Sequence, residues 1–171
     1  MKKQLVVIFA LICCFFLNGC NASNLFFSES KSNNVNPKQE VNEILGTLLI
    51  ALENKDEEAI KNLMAPKLAN NSETLNTEIQ NAFDFFEGKI ISYKNIETTS
   101  EGEKHDNGKL IYLRIGNAIT NEIITDTNTY SISFSAVLIN EKNTDQEGVW
   151  RIWIGNDDEE SVVIGSDDYD L

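Results

Sequence analysis

The chain has 171 residues, with 14 Lys+Arg against 27 Asp+Glu, a formal net charge of −13 and a pI near 4.4. That length suits one domain, and so acidic a balance offers no basic surface to displace counterions from a nucleic acid. Nine glycines and two prolines exclude collagen-like and low-complexity architectures, while a 42% apolar content is enough for a packed core.

Met1-Lys2-Lys3 precedes an apolar run from Leu5 to Phe16, and Leu17-Asn18-Gly19-Cys20 closes it. A positive start, an apolar stretch and a small residue form the layout of a secretory signal. The run is shorter than the roughly 20 apolar residues a spanning helix wants. The closing tetrapeptide resembles the lipobox of bacterial lipoproteins, although Asn18 stands where Ala or Ser is commoner. The resemblance implies a diacylglyceryl group on the Cys20 thiol and cleavage just before it. Residues 1–19 are then a signal peptide, and 20–36 a lipidated cysteine and a Ser/Asn-rich tether. The alternatives are an uncleaved anchor or a buried N-terminal helix.

On this reading Cys13 and Cys14 leave with the signal, and no thiol remains for a disulfide, a metal or a nucleophile. Loss of Lys2 and Lys3 leaves the mature chain still more acidic. The expected address is the extracytoplasmic face of the cell membrane. Membrane lipid is the partner through Cys20, because two acyl chains anchor stably where one would not. Anionic headgroups would hold the acidic body off the surface. Within the tether, Leu25-Phe26-Phe27 is expected to touch the bilayer interface or, alternatively, a groove of the domain itself.

The folded unit is expected over residues 37–165, with an acidic tail at 166–171. Asn36-Pro37 opens a helix, with Gln39 placed as in a capping box. Its stripe is Val41, Ile44, Leu45, Leu48, Leu49 and Leu52, at helical spacing. Asn54 to Glu57 breaks that helix and caps a second, lined by Ala59, Ile60, Leu63 and Met64 and ended by Pro66. A third starts at Asn71-Ser72, runs on Leu75, Ile79, Ala82, Phe83 and Phe86, and stops at Gly88.

From Lys89 the period changes to two. Strands are expected over Ile90 to Thr98, Lys109 to Thr120, a stretch around Tyr130 to Leu138, and Val149 to Ile154. Turns are expected at Asn107-Gly108, Asn121-Glu122 and Glu141 to Gly148. In the last strand Trp150, Ile152 and Ile154 share one side, and Arg151 and Trp153 the other. Short turns imply antiparallel pairing. The fold class is therefore α+β, with N-terminal helices packed on an antiparallel sheet of about four strands.

The run from Glu43 to Pro66, with its Lys55-Asp56 step, resembles the opening of nuclear-transport-factor-2-like (cystatin-like) domains. Phe83 to Ile90 and Gly148 to Ile154 fit the same pattern. More narrowly, the chain is similar to Gram-positive lipoproteins carrying a domain of unknown function. The superfamily implies a curved sheet wrapped round the helices as a cone, with a pocket at its open end. Its members include isomerases, dehydratases and binding or assembly modules, so fold does not choose function.

The lone histidine, His105, lies in a polar run and is read as a solvated turn. One histidine and no free cysteine cannot build the usual zinc sites, and neither Asp157–Glu160 nor Asp167–Asp170 has the ligand spacing of an EF-hand. No metal and no cofactor is expected, and those runs are read as solvated charge. The pocket candidates are Asp84 at the edge of the third helix's stripe, Arg114 between Leu113 and Ile115, and Tyr130. Arg151 beside Trp153 has the composition of a binding hot spot, with core or rim packing as the plainer account.

The expected function is non-catalytic binding of a small molecule or an envelope protein. Two other readings stand beside it. One is an isomerase- or dehydratase-like enzyme using Asp84 or Tyr130 as acid and base. The other is a module that forms homodimers through its sheet face.

Overall fold

The computed structural model describes residues 35–168. The expected signal peptide, Cys20 and the tether as far as residue 34 lie outside them, as do the last three residues of the acidic tail. Helices come first: α1 (Pro37–Asn54), α2 (Glu57–Leu63), α3 (Pro66–Asn71) and α4 (Leu75–Phe85). Six strands follow: β1 (Ile90–Tyr93), β2 (Glu97–Asp106), β3 (Lys109–Thr125), β4 (Thr129–Asn140), β5 (Gly148–Asn156) and β6 (Ser161–Gly165). The architecture is α+β, with the helices preceding one curved, antiparallel, six-stranded sheet.

Helix α1 begins as its sequence dictates. The Asn36 side chain accepts from the Lys38 and Gln39 amides at 3.1 and 3.4 Å, with Pro37 in the first turn. The capping box does not close, because Gln39 donates forward to Glu43 instead. Lys55 ends α1 in a left-handed conformation, and Asp56 caps α2 by accepting from the Ala59 amide at 3.0 Å. Pro66 opens α3 rather than merely ending α2, since a proline suits a first helical turn as well as it stops a previous one. A short helix that was not expected thus precedes the expected third one, which is α4 and starts at Leu75, not at Asn71. It ends at Phe85, ahead of Gly88, with its exit held by Tyr130.

Six strands stand where about four were expected, for two reasons. The segment around Ile90 to Thr98 divides into β1 and β2, which pair with successive stretches of β3. Between them Ile96 turns fully inward, and the Asn42 side chain of α1 accepts from its amide at 3.0 Å. The second reason is β6, a short edge strand paired with β5. Asn107-Gly108 forms the β2–β3 hairpin, with both residues at positive φ as a tight hairpin turn requires. Asn121-Glu122 is no turn: β3 runs on to Thr125, and Glu122 forms an ion pair with Lys94. Register shifts between β2, β3 and β4 mark bulges, which bend a sheet.

The core lies between helices and sheet. Val41, Ile44, Leu45, Leu48 and Leu52 of α1, Ile79 and Phe83 of α4, and Tyr130, Ile132, Phe134, Trp150, Ile152 and Ile154 of the sheet belong to one buried cluster. The buried polar residues among those described are Thr120, Thr125, Ser135 and Asn140. Asn140 and Trp150 fix the β4–β5 connection. Asn140 donates to Gln146 at 2.9 Å, and the Trp150 indole donates to the Gln146 carbonyl at 2.8 Å.

Candidate functional site

Alternation places the site. Trp150, Ile152 and Ile154 are fully buried, so Arg151 and Trp153 emerge on the opposite face of β5. The register then brings neighbours to them. Ser133 of β4 and Val163 of β6 flank Trp153, while Ser135 and Gly165 flank Arg151. The result is a shallow, open groove on the sheet face away from the helices. Its polar lining is Asn117, Ser133, Ser135, Arg151 and Asp167, and Trp153 forms an aromatic wall.

Asp167 organises the polar end. One carboxylate oxygen accepts from the Ser135 hydroxyl at 2.7 Å and the other from Arg151 Nη1 at 3.2 Å. The segment carrying it is tied down where the Ser166 amide donates to the Trp150 carbonyl at 2.9 Å. The Trp153 ring lies over Gly155: a Cβ added there would stand 2.3 Å from Cη2 and 2.5 Å from Cζ2. Glycine at 155 therefore leaves the space that the indole fills. The Trp153 N–H has no hydrogen-bond partner among the described residues, unlike that of Trp150.

The other sequence candidates do not join this groove. Asp84 is exposed on α4. Tyr130 is buried, and its hydroxyl is committed to backbone: it donates to the Phe85 carbonyl at 3.1 Å and accepts from the Glu87 amide at 2.9 Å. That hydroxyl anchors the end of α4, so it faces no carboxylate of Asp84 as an acid–base pair would. Arg114 is half-buried on β3, opposite Gly102 and Val137, and does not line the groove. His105 is exposed on β2 rather than in a turn.

Sequence reasoning passed over Asp167, which reads as one more acid of a solvated tail, and Asn117, which nothing marks. Ser133 and Ser135 were visible as the wet face of a strand. Only pairing register shows that this face adjoins Arg151 and Trp153. Among the described residues, no group of His, Cys, Asp and Glu is arranged to hold a metal, and no helix is long and apolar enough to cross a membrane.

A curved antiparallel sheet backed by helices, with a shallow polar groove on its outer face, defines a small α+β domain. The chain belongs to a family described as a domain of unknown function (DUF5104), which matches residues 47–160. Asn117, Ser133, Ser135, Arg151 and Trp153 fall within that stretch, and Val163, Gly165 and Asp167 lie beyond it. No curated protein matches the chain.

Proposed function

We propose that this protein is a lipid-anchored extracytoplasmic binding module that takes its ligand or partner on the outer sheet face. The observation carrying this reading is the groove in which the Trp153 indole and the Arg151–Asp167 pair stand together with Ser133 and Ser135. Half-exposed tryptophan beside arginine is the residue chemistry that dominates recognition surfaces. The Leu17-Asn18-Gly19-Cys20 lipobox supports the address, with Cys20 as the lipidated residue. The likeness to nuclear-transport-factor-2-like domains supports a cone-like wrapping of the sheet. It supplies no activity, because the candidate acid–base residues Asp84 and Tyr130 are engaged elsewhere or stand apart.

The test places a photoreactive amino acid at Val163, beside Trp153, in the full chain expressed in cells. Crosslinks are expected at this position, and they should disappear when Trp153→Ala or Arg151→Ala is added. A parallel chain labelled at Asp84 should give none. Crosslinks at Val163 that survive both substitutions would remove the groove from the account. Gel filtration of the same chains tests homodimer assembly, which would appear as a species of twice the mass lost on substitution of the sheet face.

A further inference from the structure

We infer that the ligand of the outer groove is a neutral, polyhydroxylated one, a saccharide of the cell envelope. The inference rests on the groove being the binding surface, and it adds the chemical class.

Charge comes first. The whole chain carries −13, and the groove holds one cation and one anion already bonded to each other. A neutral groove on a strongly acidic body repels phosphate- and carboxylate-rich polymers at long range and has no unengaged cation to hold them. A neutral ligand meets no such barrier.

Shape and donor pattern come next. The groove crosses β3, β4 and β5 on the face of the sheet rather than along an edge. A peptide therefore cannot add itself as a further strand there. The groove is an open, shallow depression, unlike the enclosed apolar sites that take drug-like molecules. It does offer acceptors and donors side by side. The Asp167 carboxylate oxygens each keep acceptor capacity beyond the one bond they take, and Arg151 uses Nη1 alone among its N–H groups. The Ser133 hydroxyl and the Trp153 N–H are unbonded among the described residues. Adjacent carboxylate and guanidinium groups match adjacent sugar hydroxyls, each of which both donates and accepts. Beside them stands an indole, whose electron-rich face suits the weakly positive C–H face of a pyranose ring.

The orientation is preorganised. Gly155 gives the indole its seat, and Ser135 holds the Asp167 carboxylate against Arg151. A ligand entering the groove would find these groups already placed, so little ordering cost opposes binding.

The experiment uses the purified full chain in detergent, with its tryptophans labelled with ¹⁵N. The indole signal of Trp153 is followed during titration with neutral hexose and N-acetylhexosamine oligosaccharides. A glycerol-phosphate oligomer and a neutral Gly/Ser peptide serve as comparison probes. Trp150, whose N–H is held by Gln146, is the internal reference. The expected result is a saturable shift of the Trp153 signal by at least one neutral oligosaccharide. Its Kd should rise at least tenfold in Asp167→Asn, and by less in Arg151→Lys, which retains a donor. Trp153→Ala has no indole to report, so its binding is read by calorimetry and should be lost, while unchanged far-ultraviolet circular dichroism shows that it folds. If the anionic oligomer or the peptide shifts Trp153 and no saccharide does, the saccharide class is overturned and the groove stands. If saccharides bind equally well to wild type, Trp153→Ala and Asp167→Asn, both fall. If no probe shifts Trp153, the saccharide assignment is overturned.

Discussion

At the scale of single residues, the same side-chain type can serve chemistry or scaffold, and burial decides between them. Tyr130 has the composition of a pocket acid but acts as a clamp. Its ring packs on Phe86 with centroids 4.6 Å apart and meets Phe85 edge-on, while its hydroxyl bridges the backbone at the end of α4. Tyr130→Phe keeps the packing and orphans both backbone groups, so it should destabilise the fold by about 1–3 kcal/mol. Urea unfolding with an unchanged m-value would show this. Glu57 illustrates the opposite case, a half-buried surface residue that ties two helices together. It takes Lys61 of its own helix as an ion-pair partner and accepts from Gln80 of α4 at 2.9 Å. The Lys61 hydrogen bond, together with its charge and the Gln80 bond, holds the Glu57 carboxyl below its usual value of 4.5, against the opposing effect of burial. A depressed carboxyl stabilises the fold above its unfolded pKa, and that contribution is lost as pH falls through the folded value. Lys61→Met should therefore move the Glu57 midpoint upward, as followed by carboxyl carbon NMR. An unmoved midpoint would assign the depression to another cause.

At the scale of elements, two glycines behave in opposite ways. Gly46 lies inside α1, and nothing stands within 4 Å of a Cβ added there. Gly46→Ala should stabilise by about 0.5–1 kcal/mol, since alanine loses less backbone freedom on entering a helix. Gly148 starts β5 at φ 134°, and an added Cβ would meet the Ala65 amide nitrogen at 2.6 Å. That close approach lets Ala65 donate to the Val149 carbonyl at 2.9 Å, which joins the α2–α3 junction to the sheet. Gly148→Ala should destabilise by about 2 kcal/mol or more, through strain and loss of that contact. Thermal melts of the two variants should move in opposite directions. The elements themselves were legible where a period met a cap. The α1 stripe behind Asn36-Pro37 and the Asn107-Gly108 hairpin needed no tertiary information. The break at Ile96 and the continuity of β3 through Asn121-Glu122 did need it. Polar residues there read as a turn, yet cross-strand partners such as Lys94 keep the strand extended.

At the scale of the whole molecule, an acidic domain and the lipobox-like Leu17-Asn18-Gly19-Cys20 make one joint expectation about location. In cells, the wild-type chain should fractionate with membranes and resist high salt. Cys20→Ala should be released or accumulate as precursor, because without the acyl chains an acidic body has no attraction for anionic lipid. Equal membrane retention of both chains at the mass of the processed form would refute lipid anchoring. The curved sheet turns one face toward the helices, so the apolar interior and the Trp153–Arg151 groove occupy opposite sides of the same strands.

Periodicity and local capping were enough to determine that helices precede an antiparallel sheet, and that Trp150, Ile152 and Ile154 face opposite to Arg151 and Trp153. These depend on neighbours a few residues apart, where backbone geometry alone fixes which side chains share a face. Only the tertiary structure decided that Ser133, Ser135 and Asp167 stand beside Arg151 and Trp153, and that Tyr130 and Asp84 do not form a pair. Strand register and the path of the C-terminal segment set those distances. They arise from the mutual packing of distant segments, which no local pattern encodes.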